Sequence, residues 1–241
     1  MKHRVRGQMS ESAIVMGLLC VSGGFQDAYT YNCRGKVFAN AQTGNMVLLG
    51  QNFAGGHWEA GVRYLLPVLA FAAGIFAAEK IHRRFWKMER FHWRQTVILA
   101  EAILLFLVGW MGQRANVWAN VLVSFVCAMQ VQSFRKLNGN AYATTMCIGN
   151  LRTATDLFCG YCSTGERHLL HKSLWYYGFI GIFILGASAG GILTGMWEEK
   201  AIWVSCGLLL VVFFLMFLKE ESQDLSSRTG GREDIEERIQ L

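Results

Sequence analysis

The sequence predicts an all-α integral membrane protein: six transmembrane helices plus two re-entrant half-helices, arranged as an inverted 3+3 repeat. Three observations point there. Of 241 residues, 53% are hydrophobic and only 17% are charged, whereas an ordinary soluble domain carries about 25% charged residues. The charges also leave gaps, because residues 115–134, 173–197 and 201–218 contain none. Each gap approaches the ~20 apolar residues that cross a bilayer core. Finally, two uncharged but polar segments, 37–58 and 137–151, fall at corresponding places in the two halves of the chain. This balance excludes a soluble enzyme, a nucleic-acid-binding domain and a disordered chain. The net charge of +6 reports orientation in the membrane rather than affinity for nucleic acid.

The first span covers 12–32 and follows a basic tail of Lys2, Arg4 and Arg6. It resembles the start of a signal peptide but runs into Gly23-Gly24-Phe25-Gln26-Asp27 with no small-x-small cleavage pattern, so it is read as retained. Further spans are expected over 62–81, 95–112, 115–134, 173–197 and 201–218. Pro67 and the internal glycines do not argue against them, since transmembrane helices carry both. Ala70, Gly74 and Ala78, and likewise Gly186 and Gly190, are spaced by four. That spacing predicts close helix contact, within one subunit or at a homo-oligomer face.

The polar segments could be full spans or half-helices. If both cross, the 23 Lys and Arg divide 12 inside and 11 outside. If neither crosses, they divide 18 inside and 5 outside, which satisfies the positive-inside rule. The expected organisation is then a first membrane repeat, 1–112, with a half-helix at about 43–54. A second, inverted repeat, 113–218, has its half-helix at about 149–160, and 219–241 forms a mobile cytoplasmic tail. Both termini lie in the cytoplasm and the chain sits in the plasma (inner) membrane. An odd number of crossings per half inverts the second half, a common plan among transporters and channels.

The halves align at an offset of 104: Gln26 falls on Gln130, Gly35 on Gly139 and Ala39 on Ala143. After a one-residue insertion, Gly44-Asn45 falls on Gly149-Asn150. Gly24-Phe25-Gln26-Asp27-Ala28, Gly35, Phe38 and Thr43-Gly44-Asn45 resemble the first signature of the YoaK family of bacterial membrane proteins. Gln130, Arg135, Gly139, Thr144-Thr145 and Gly149-Asn150-Leu151 resemble the second, with Ile148 where the pattern has Thr. The resemblance spans about 12–218 and implies six spans, with no reaction or substrate attached.

A helix N-terminus carries unpaired N–H groups and a partial positive charge. Thr43-Gly44-Asn45 has the residues to cap such an end and to let a solute approach closely. Two half-helix ends converging from opposite faces would favour an anion or a polar neutral solute. The solute-path candidates are Gln26, Asp27, Thr43, Gly44, Asn45, Gln130, Arg135, Gly149 and Asn150. The competing reading is that the Asn and Gln residues only stitch broken helices together. Asp27 and Glu101 are ionisable groups inside spans and are candidate proton carriers, with Arg135 the partner suggested by its type. Arg152 and Asp156, at i and i+4, are expected to pair locally.

Cys159-Gly160-Tyr161-Cys162 followed by His168 and His171 is a weak candidate metal site, because its spacing is much shorter than that of finger-like zinc sites. No nucleotide-binding glycine loop, G-x-S-x-G or H-E-x-x-H occurs, so neither an enzyme nor a cofactor is expected. The expected partners are the lipid bilayer and an unidentified small solute, with no nucleic acid. The expected function is a channel or secondary transporter for a small polar or anionic solute. The alternative is a non-transporting membrane sensor or scaffold.

Overall fold

A computed structural model of the chain describes residues 12–85, 93–137, 140–141, 144–145 and 147–217. The expected tail 219–241 and Gly139 lie outside the described residues. The helices are α1 (Ala13–Cys33), α2 (Gln42–Ala54), α3 (Trp58–Phe85), α4 (Trp93–Val108), α5 (Asn116–Ser133), α6 (Cys147–Thr164), α7 (Arg167–Trp197) and α8 (203–217). Short 3₁₀ turns, Gln113–Ala115 and Glu198–Ile202, lead into α5 and α8. The departure from an all-helical chain is a two-residue antiparallel pair, Lys136–Leu137 with Asn140–Ala141.

Local chemistry sets the ends of α1. Ser12 caps it by accepting from the Val15 N–H at 3.4 Å, which satisfies one of the donors a helix start leaves open. At its C-terminus Gly35 takes a φ of +85°, a conformation that suits a residue without a Cβ, and the chain turns back. Among the described residues, three helical stretches are long and apolar enough to cross a membrane: Trp58–Phe85, Gln113–Ser133 and Arg167–Phe217. At 1.5 Å per residue the 28 residues of α3 extend about 42 Å, more than the ~30 Å hydrocarbon core. Twelve of the 21 residues of α1 are buried, against five of the 28 in α3. α1 is therefore a central post, and α3 faces outward along most of its length.

The helices gather at two ends of the bundle. At one end Arg34, just past α1, reaches the C-terminus of α4 and the start of α5. Tyr29 and Gln113 join Glu199 there, beyond the end of α7. At the opposite end the Arg94 side chain of α4 donates to Ser133 O at the end of α5. Glu79, near the end of α3, accepts from Gln132 of α5 at that same end. The start of α1 and the start of α7 lie together there as well, as Ala13, His171 and Trp175 line a shared cleft.

α1 packs along α7 and α3 along α5, while α2 folds back on α3 and α6 on α7. Small residues make the two long seams. A Cβ on Gly186 of α7 would strike the Val21 carbonyl of α1, and one on Gly74 of α3 would strike the Phe125 carbonyl of α5. The burial pattern repeats at the same register. Of the twelve buried positions of α1, eleven have a buried counterpart 104 residues on, in α5 or at Phe134. Val97, Ile98, Glu101, Ala102, Leu105 and Val108 of α4 have buried counterparts at Ala201, Ile202, Ser205, Cys206, Leu209 and Val212. At this offset Ala102 meets its own counterpart, since the Cys206 thiol donates to Ala102 O at 2.8 Å.

Candidate functional site

Gly23 is the middle residue of α1, and two loops reach it. Residues 37–41 descend from one end of the bundle, and Asn40 Nδ2 donates to Gly23 O at 3.1 Å. The loop before α6 reaches the same glycine, with the Thr145 methyl lying where a Gly23 side chain would stand. Around this point lie buried polar side chains from both halves. Gln26 donates to Ser22 Oγ at 2.9 Å and accepts from the Cys127 thiol at 2.8 Å. Gln130, its counterpart, donates to Leu19 O at 3.2 Å and to Thr144 Oγ1 at 3.3 Å.

Asp27 of α1 faces the first loop. Its Oδ1 accepts from the Asn40 N–H at 2.7 Å. The Asp27 carboxylate thus occupies an amide of the loop that enters α2, near the end where the sequence predicts an anion or a polar neutral solute. At the 104-residue offset Asp27 falls on Val131, the one buried α1 position without a buried counterpart.

Asn45 is fully buried and its bonds are internal. It accepts from the Phe38 N–H at 3.2 Å and donates to Phe38 O at 2.7 Å and Gln42 Oε1 at 2.9 Å. Gln42 in turn donates to Ala39 O at 2.7 Å, so Asn45 fastens the first turn of α2 to the preceding loop. Gly44 fits beneath the Phe38 ring, which a Cβ would approach to 3.3 Å. Thr43 is exposed, and the cap position of α2 is Ala41, without a side-chain cap. The expected cap from Thr43 or Asn45 is not formed.

In the second half Asn150 is buried in the first turn of α6, which begins at Cys147, while Gly149 is exposed with open space around it. Arg135 is exposed and does not serve either buried carboxyl: Asp27 takes a backbone amide, and neither Glu101 oxygen has a hydrogen-bond partner. Arg152 and Asp156 form the expected local pair at 3.8 Å on an exposed face. Cys159 and Cys162 are exposed free thiols, His168 lies 3.3 Å from Glu166, and His171 lines the cleft beside Trp175. Among the described residues these four form no group that could hold a metal ion.

Sequence reasoning left Arg34 without a role and gave Asn40 and Thr145 only that of stitching the helices. Arg34 is 1% exposed. It donates to the Tyr29 hydroxyl at 2.8 Å, to Met111 O at 2.6 Å, to Val108 O at 3.0 Å and to Asn116 Oδ1 at 3.0 Å. The guanidinium thus bonds Met111 O, just past α4, and adds a second donor to Val108 O, which already accepts from the Met111 N–H. Three buried atoms near Gly23 have no partner: Asn40 Oδ1, Gln130 Oε1 and Thr145 Oγ1.

Comparison with known proteins agrees with this architecture at a coarser level. The chain is 24% identical over 214 residues to UPF0700 transmembrane protein YoaK of Bacillus subtilis (strain 168), covering 85% of this chain and 94% of that protein. No solved structure matches the chain. The family model described as "Protein of unknown function (DUF1275)" matches residues 15–215. The chain is a membrane protein and belongs to the DUF1275 family.

Proposed function

We propose that the chain is a secondary transporter of a small polar solute in the plasma membrane, with both termini cytoplasmic. It is built from two inverted halves of three spans and one re-entrant helix each. The observation that carries this reading is the meeting of the two loops at Gly23, halfway along the central helix. Irregular backbone at such depth is tolerated in lipid only where protein buries it or it lines a cavity. The repeat of burial at 104 residues and the matched α1–α7 and α3–α5 seams support the inverted plan. So does the gathering of helix ends at two poles.

The site chemistry narrows the solute. With Asp27 already on an amide of the loop that precedes α2, an added anion would meet a like charge. The unpartnered Asn40 Oδ1 and Gln130 Oε1 are acceptors, and an orphaned buried acceptor costs about 1–3 kcal/mol until a donor reaches it. A neutral solute rich in N–H or O–H donors meets that need better than an anion. Burial of Asn45, Asn150 and both glutamines describes a closed centre, which suits an occluded transporter state better than an open channel. The same closed centre favours a second reading, a membrane scaffold that moves nothing. No residue here requires enzymatic chemistry.

Uptake into vesicles reconstituted with the full chain separates the two readings, using labelled small amides, amino acids, polyols and carboxylates as probes. The transporter reading expects saturable uptake of a donor-rich neutral probe. Thr145→Val removes only an unbonded hydroxyl and should fold normally yet transport poorly; Asn150→Leu should do the same. Undiminished uptake in both variants would reject the site, and no uptake of any probe would favour the scaffold.

A further inference from the structure

Glu101 stands apart from every other acid described. It is fully buried in the middle of α4, and neither carboxyl oxygen has a hydrogen-bond partner. An isolated carboxylate in such a place costs several kcal/mol, and it persists only when paired or neutralised. Asp27 is the other buried acid, but the Asn40 backbone amide holds it.

Among the described residues no Lys, Arg or His bonds to Glu101. From α5 the Cys127 thiol lies within electrostatic reach of both Glu101 and Asp27. From α8 come Ser205, also buried with an unpartnered Oγ, and Cys206, whose thiol is committed to Ala102 O. The charged groups at the α3–α4 contact sit near the first turn of α4, where Glu79 binds Arg83 at 2.9 Å and Gln132 at 3.1 Å. His82 there packs tilted against Trp93, with ring centroids 4.5 Å apart. Trp93 is eight residues before Glu101, about 12 Å along the helix.

Position adds a second argument. Ala102 and Cys206 are equivalent under the repeat and touch each other, so the line relating the halves passes between them. Glu101 and Ser205 precede them, one on each of the paired helices, and both are buried without partners. The two halves therefore meet at one exchangeable acid opposed in the repeat by a neutral hydroxyl.

We propose that Glu101 is a proton-binding site at the junction of the two halves, loading one proton from water onto a carboxylate oxygen and returning it when the α4–α8 seam opens. Binding forms one O–H bond and cancels one negative charge, and release reverses both. Use of this proton to drive solute movement rests on the transport reading above; its presence on Glu101 does not. Asp27, fixed by the first loop, is a positioning group for that loop and carries no transported proton.

The test is chemical labelling of the full chain in lipid nanodiscs with a lipid-soluble carbodiimide, which adds to a protonated carboxyl and leaves an N-acylurea. Peptide mass mapping should find Glu101 labelled by this reagent and spared by a water-soluble carbodiimide. Labelling should fall several-fold as the medium is taken from mildly acidic to strongly alkaline, and recover when the pH is returned. Absence of label at every pH would overturn the proposal, and so would label indifferent to pH, which marks a permanently neutral structural acid. In vesicles, Glu101→Gln should abolish acceleration of uptake by a pH gradient; acceleration that survives this substitution would overturn the assignment. Labelling needs no flux, so a labelled Glu101 in vesicles that transport nothing would reject the transporter and leave the proton site standing.

Discussion

Gly186 of α7 lies so close to the Val21 carbonyl of α1 that no side chain fits between the two helices. The same relationship holds between Gly74 and Phe125 across α3 and α5. Small residues in membrane helices allow this approach, and tight packing replaces the hydrophobic drive that lipid removes. Gly186→Ala and Gly74→Ala should each destabilise the fold by about 1–3 kcal/mol, the usual cost of overpacking. Gly178→Ala, at a position with open space around it, should leave stability unchanged. Thermal unfolding in detergent compares the three variants directly, and equal melting would remove the seams from the account of stability.

Arg34 should be among the least replaceable residues in the chain. Arg34→Met keeps the length but strips the Met111 carbonyl and the Tyr29 hydroxyl of their Arg34 donor and leaves the Val108 carbonyl with the Met111 N–H alone. Leaving buried acceptors unpaired costs about 1–3 kcal/mol each, so the variant should fail to give a monodisperse protein in detergent. Arg34→Lys keeps the charge but not the planar fork, and should melt between the two.

Asn45 should act on stability before it acts on any solute. Asn45→Leu deprives both the N–H and the carbonyl of Phe38 of a partner, which predicts a loss of about 1–3 kcal/mol. Amide hydrogen exchange should speed up across 37–45 while the core of α5 stays protected. Unchanged exchange in that loop would mean that the fastening is dispensable.

Side-specific thiol labelling checks the six-span plan. Cys159 and Cys162 are exposed and should react from the cytoplasmic face only. In a background where both are Ser, Arg83→Cys places a thiol at an exposed site near the end of α3. It should react from that same face, whereas Cys33, at the opposite pole, should react from outside. Reaction of Arg83→Cys from outside would require the first polar segment, 37–58, to cross, and the re-entrant reading of that segment would fall. Cys20, Cys127 and Cys206 are buried and should react only on unfolding.

The helices were legible because charge-free gaps and apolar runs are properties of the chain itself. The expected spans 12–32 and 115–134 lie within a residue of two of α1 (Ala13–Cys33) and α5 (Asn116–Ser133). The offset of 104, suggested by Gln26 and Gln130, is also the offset at which burial repeats. Side-chain roles were less legible, because their partners are backbone groups that leave no sequence mark. Arg34 read as an ordinary loop charge, yet its partners are carbonyls at the end of α4. Arg135 read as a partner for a buried acid, yet it is exposed while Asp27 takes an amide of the first loop. Nothing in the residue order tells Asn45, bonded to its neighbours, from an asparagine turned toward a solute.

The Arg34 closure also bears on how the chain is made. Its guanidinium leaves the ribosome well before the carbonyls of Val108 and Met111, which follow 74 and 77 residues later. Until α4 emerges, that cation has no home in the lipid and must wait at the water boundary. Insertion of the first half is therefore completed by its last helix, and truncation of the nascent chain before Val108 should leave an intermediate that membrane quality-control proteases recognise.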